Sequence, residues 1–152
     1  MRTDDLLHHL QNEAQSIDYS NKFEYVKTLY QENPSIVNRL ALYNYESLEA
    51  LKNYKLDDTC DIDDAIVTDM KSEMNDYLDA YLSENEEYKR IIKIVCLYLT
   101  FIAHKPLHPA GLFDTEGKYE TLDGLVVCPL KKSEISKPGS LCKYCSSTMT
   151  KG

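Results

Sequence analysis

The chain has 152 residues, 43% of them hydrophobic, and 17 Lys and Arg against 25 Asp and Glu give a formal net charge of −8. That length and apolar content suit one domain with a real core and leave no comfortable room for two. Five glycines and five prolines argue against an all-β chain full of tight turns, and the acidic balance argues against general binding to nucleic-acid phosphates.

A first helix is expected from Thr3, acting as its N-cap, to about Gln15, with Asp4 and Asp5 placed against the positive helix end. A second runs from about Asn21 to Gln31, with Phe23, Val26, Leu29 and Tyr30 as its apolar positions. Asn33-Pro34 restarts the chain, Asn33 as cap and Pro34 at the first helical position, where a missing N–H costs nothing. The helix that follows, to about Tyr54, repeats Ile36, Val37, Leu40, Tyr43, Leu48 and Leu51 at three-to-four spacing.

Residues 61–82 carry the clearest amphipathic pattern. Ile62, Ile66, Met70, Met74, Tyr77, Leu78, Tyr81 and Leu82 form one stripe, with Asp61 as the natural cap. Ser83 and Glu86 have capping-box spacing and open the next helix, which reaches about His104. That helix is apolar nearly all round, which predicts a position in the middle of a bundle. Its uncharged run, Ile94 to Ala103, has ten residues, and a membrane span needs about 20. Lys105-Pro106 ends it, because proline disfavours helical geometry in the residue before it.

Beyond residue 105 the pattern changes. Tyr119–Leu122, Asp123-Gly124 and Leu125–Cys128 read as a β-hairpin, Asp-Gly being a favoured pair for a turn that matches strand twist. Residues 130–141 form a basic loop with Pro138-Gly139. Charge divides at the same place: residues 1–103 hold 10 Lys and Arg against 20 Asp and Glu, and residues 104–152 hold 7 against 5.

The chemistry concentrates in this tail. Cys142-Lys143-Tyr144-Cys145 can chelate one ion from a single turn, and Cys128 ends the expected hairpin fourteen residues earlier. His108, in a loop beyond the helix-breaking Pro106, is the best fourth ligand, with His104 as the alternative. The expected metal site is therefore His108, Cys128, Cys142 and Cys145. It would hold zinc or, alternatively, iron or an iron–sulfur cluster. Lys131, Lys132 and Lys143 lie close enough in sequence to soften its charge. A redox dithiol and plain buried thiols are the competing readings of these cysteines. Cys96 lies inside the apolar helix and Cys60 in an acidic stretch, and both are set aside. Five cysteines and no apolar signal segment at Met1–Asp5 point to a reducing, cytoplasmic setting. Asp57 to Asp64 resembles a calcium loop only loosely, because Ile62 stands where glycine is required. His8-His9 reads as helix surface.

Lys105-Pro106-Leu107-His108-Pro109-Ala110-Gly111, Val127-Cys128-Pro129 and Pro138-Gly139-Ser140-Leu141-Cys142-Lys143-Tyr144-Cys145 together resemble an archaeal family found mostly in methanogens, domain of unknown function 2115. The resemblance covers about 45 residues. It implies a cytosolic archaeal protein, places the interest on His108, Cys128, Cys142 and Cys145, and supplies no reaction.

The expected architecture is mainly α: one helical bundle-like domain over 1–152, with a helical body at 1–104. A short C-terminal β-hairpin and a Cys/His metal-binding turn would close it at 105–152. The leading functional expectation is a non-enzymatic interaction or accessory protein with a structural zinc and another protein as partner. A metal-dependent enzyme or redox protein using the same cluster is the second, and nucleic-acid binding through the basic tail a weaker third.

Overall fold

The computed structural model describes residues 1–82, 84–109, 121–122, 125–128, 131, 135, 141–145 and 148–149. Five helices come first: α1 (Thr3–Gln15), α2 (Ser20–Glu32), α3 (Ile36–Lys52), α4 (Asp64–Tyr81) and α5 (Glu86–Tyr98). A π-turn, Leu99–Ala103, continues α5. Helix α5 packs against α1, α3 and α4, and α3 packs against α1 and α2. The centre of the core is Leu48, Leu51, Met70, Met74, Ile91 and Val95, all fully buried, with Leu6, Leu10 and Tyr98 closing round them.

Local chemistry starts the helices, but tertiary contacts choose among the candidate caps. Thr3 does not cap α1, because its hydroxyl accepts from the Cys60 N–H at 3.0 Å. Ser35, not Asn33, caps α3, accepting from the Asn38 N–H at 3.1 Å. Asp61 is held in an extended bridge with Arg2, so Asp63 caps α4 instead, accepting from the Ala65 N–H. Asn85 caps α5, accepting from the Tyr88 N–H. The buried stripe of α4 is Val67, Met70, Met74 and Leu78. Ile66 and Tyr77, expected inside, are 45% and 43% exposed. Lys89 is the one buried lysine among the described residues; its stem enters the core while its ammonium reaches Asp79 at 2.8 Å and Glu86 at 2.9 Å.

The closing part of the expected fold class is corrected. The described tail contains β1 (Thr121–Leu122), β2 (Leu125–Cys128), a short 3-10 turn at Cys142–Tyr144 and β3 (Thr148–Met149). Among the described residues two pairs join β1 to β2, Thr121 with Val126 and Leu122 with Leu125, and β3 runs parallel to β2. A ladder that short has no stability of its own. The tail is therefore not a free-standing hairpin carrying a metal-binding turn, and the chain is mainly helical. No group of three or more His, Cys, Asp or Glu side chains among the described residues is placed to hold a metal ion. Ser83, the Asp123-Gly124 turn, Lys132 and Pro138-Gly139 lie outside the described residues. No described helix is long and apolar enough to cross a membrane.

Candidate functional site

The tail meets the body where α5 ends. In the π-turn the N–H groups of both His104 and Lys105 donate to the Leu99 carbonyl, and His104 takes the left-handed conformation, φ 53°. A non-glycine residue accepts that conformation at some steric cost, and here it turns the chain out of the helix. His104 is exposed. Residues 105–109 then fold back on α3: the Tyr43 hydroxyl donates to the Pro106 carbonyl at 2.6 Å, and Leu107 is buried in the core. His108 is half-buried, and its burial lowers the imidazole pKa below the ordinary value. Burial therefore favours the neutral form of the ring.

Against this loop sits the turn that carries the last two cysteines. Leu141, Tyr144 and Cys145 pack on the core, and Cys142 is half-buried. The Leu107 N–H donates to the Cys145 Sγ at 3.4 Å across 38 residues of sequence. The Lys131 ammonium donates to the Cys145 carbonyl at 2.7 Å. Lys143 reaches the other way and pairs with Glu73 on α4 at 2.6 Å. Tyr144 lies beside that carboxylate; burial first, and then the Glu73 charge, raises its hydroxyl pKa. The second Glu73 oxygen, Oε2, is buried without a hydrogen-bond partner. The turn is thus pinned on three sides, to α4, to residue 131 and to the loop after α5.

Of the four expected ligands, the structure brings Cys145 against the backbone beside His108, with Cys142 in the same turn. The Cys128 backbone lies in β2, and its side chain lies outside the described residues. Cys96 is buried, and burial pushes its thiol pKa up to about 12, with Cys145 adding to the effect. Cys60 is exposed on the far side of the chain's order, next to Thr3. Two of the lysines expected to offset thiolate charge do other work: Lys143 is taken by Glu73, and Lys131 binds a carbonyl. Sequence reasoning also passed over Tyr43 and Glu73. Both read as ordinary members of helical faces, and nothing in their local pattern announces a partner more than sixty residues away.

Comparison with known proteins places the chain in a family. A family model described as "Uncharacterized protein conserved in archaea (DUF2115)" matches residues 3–150, which is nearly the whole chain. The chain belongs to this family. It is 38% identical over 81 residues to a UPF0305 protein of Methanothermobacter thermautotrophicus, covering 49% of each chain. It is 30% identical over 112 residues to a UPF0305 protein of Methanocaldococcus jannaschii, covering 72% of this chain and 68% of the relative. The match spans about half the length of the Methanothermobacter relative. No solved structure matches the chain.

Proposed function

We propose that this family member is a non-enzymatic interaction or accessory protein whose C-terminal turn is clasped onto an acidic helical body. We further propose that zinc completes the clasp through His108, Cys128, Cys142 and Cys145. The observation that carries the reading is the Leu107 N–H to Cys145 Sγ bond, which seats the second thiol of the Cys-x-x-Cys turn on the loop that bears His108. The neutral form favoured in the His108 ring and the position of Cys142 one turn earlier supply two more donors of the kind zinc takes. A bound ion would draw Cys142 and Cys128 toward these two residues. Metal binding there would contribute directly to folding. With four protein ligands the zinc has no open position for water, so the role is structural rather than catalytic.

The test is metal analysis of protein purified without oxygen, together with its absorption spectrum. The expected result is one zinc per chain in a colourless sample, lost in Cys128→Ser and in Cys142→Ser, with helical circular dichroism unchanged. Full zinc content in both variants sinks the ligand set. Brown protein containing iron and sulfide replaces the structural zinc with a cluster.

A further inference from the structure

A cleft opens between α1, α4 and α5. It measures about 220 Å³ and is floored by Leu10, Met74, Ile94 and Leu97, all buried. Its upper wall is Lys71, Arg90 and Lys93. In a chain with 25 carboxylate side chains against 17 Lys and Arg, a helical lysine is expected to find a partner. Four of the six lysines on α1–α5 do. Lys22 pairs with Glu87, Lys27 with Glu24, and Lys89 with Asp79 and Glu86, while Lys52 lies over the Tyr19 ring. The two that remain, Lys71 and Lys93, are both half-buried, and both line this cleft. Lys93 acts on Asp79 only through space, beyond ion-pair distance.

Arg90 is fixed in place beside them. Its Nε donates to Glu13 at 3.2 Å and one Nη to Ser16 at 2.8 Å. A guanidinium has five N–H donors, so three stay unused. Against the single negative charge of Glu13, the three cations leave the cleft at +2 within a helical body whose net charge is −10. An apolar lining joined by unspent cationic donors is the composition of a small-ligand site. The volume is below the usual pocket range of about 300–1,000 Å³, which limits the ligand to a compact one.

We propose that this cleft binds a small organic phosphate monoester, with the phosphate held by Lys71, Lys93 and Arg90 and a short apolar body against Ile94 and Leu97. Three cationic groups suit a doubly charged head better than a single carboxylate, and the charge-assisted bonds they form are the strong class. The site is independent of the clasp and of any metal.

The test titrates phenyl phosphate into the full-length protein and follows backbone amide shifts by NMR, with inorganic phosphate and phenol as separate arms. Saturable shifts confined to α1, α4 and α5, at least about tenfold tighter than for inorganic phosphate, support the proposal. Lys71→Gln combined with Lys93→Gln should weaken phenyl phosphate by at least about tenfold while helical circular dichroism stays unchanged. No saturable shift overturns the proposal, as does undiminished binding in the double variant. Phenol binding as tightly as phenyl phosphate shows the anionic head has no role, and inorganic phosphate binding as tightly shows the floor has none; either result also overturns it.

Discussion

The helical body and the described part of the tail are held by different mixtures of apolar and polar contacts. Of the buried hydrophobic side chains described, every one but Leu107 comes from residues 6–102. The body therefore coheres through apolar burial spread over many contacts, each modest and none decisive. The described part of the tail rests on the core through Leu107, Leu141, Tyr144 and Cys145, and polar contacts add to these: Tyr43 to Pro106, Leu107 to Cys145, Lys131 to Cys145 and Lys143 to Glu73. The lesson is one of failure modes. Damage to the body should be global and large, and damage to the tail local and separable.

The largest effect should follow Leu48→Ala. Leu48 has no exposed surface, and emptying such a site costs about 2–5 kcal/mol; urea unfolding followed by circular dichroism should show the whole transition shifted. A loss confined to tail probes would break the contrast between the two regions. Tyr43→Phe removes the hydroxyl donated to the Pro106 carbonyl and should cost about 1–2 kcal/mol. Amide hydrogen exchange should quicken at 105–109 well before it does in α3.

Titration should separate the regions as well. The His108 imidazole has a lowered pKa in the folded chain, so the folded state binds fewer protons there than the unfolded state does. The stability from this group is fully present above the ordinary imidazole pKa of about 6.5 and is lost as pH falls through the folded value. Acidification should loosen the 105–109 loop while the helical signal persists. In the alkaline direction, Cys96 and Tyr98 both have folded pKa values pushed up to about 12 by burial. They hold their protons longer when folded, so stability declines as pH rises above about 9, the free-thiol range. Native Cys96 should also stay unlabelled by thiol reagents at pH 8 while exposed Cys60 reacts, and mass spectrometry of the labelled peptides reads this directly. The smallest effect belongs to Lys143→Met. It breaks an exposed pair with Glu73, and exchange should quicken in the 142–144 turn with the melting midpoint nearly unmoved.

The same contrast explains what the sequence discloses. Helical periodicity is local, so the five helices are legible from spacing alone, including the central place of the apolar α5. The caps are less so, because several Ser, Asp and Asn residues compete for each start. Asp61 lost α4 to Asp63 through its bridge to Arg2, and Thr3 gave its hydroxyl to Cys60. In α4 the spacing places Met70, Met74 and Leu78 correctly but not Ile66: Ile66 and Val67 are both apolar, and packing against α5 decides which turns inward. In the tail, Cys142 and Cys145 announce a turn by their spacing, and the Pro106 break marks where the loop begins. What the spacing cannot carry is the bond from Leu107 to Cys145 or from Lys143 to Glu73, since each joins segments with unrelated local patterns.

The π-turn at Leu99–Ala103 also acts as an angular adjuster. Adding one residue to a helical turn rotates everything after it by about 100° relative to an unbroken α-helix. Leu99 and Ile102 both reach the core, and the six consecutive residues from Ile94 to Leu99 are all buried, which is why α5 and its extension look apolar on every side in the sequence. Holding Leu99–Ala103 in regular α-helical geometry, with every residue kept, would aim residues 104–109 about 100° away from Tyr43 and Cys145. The tail would then have lost its landing site without losing any residue that touches it.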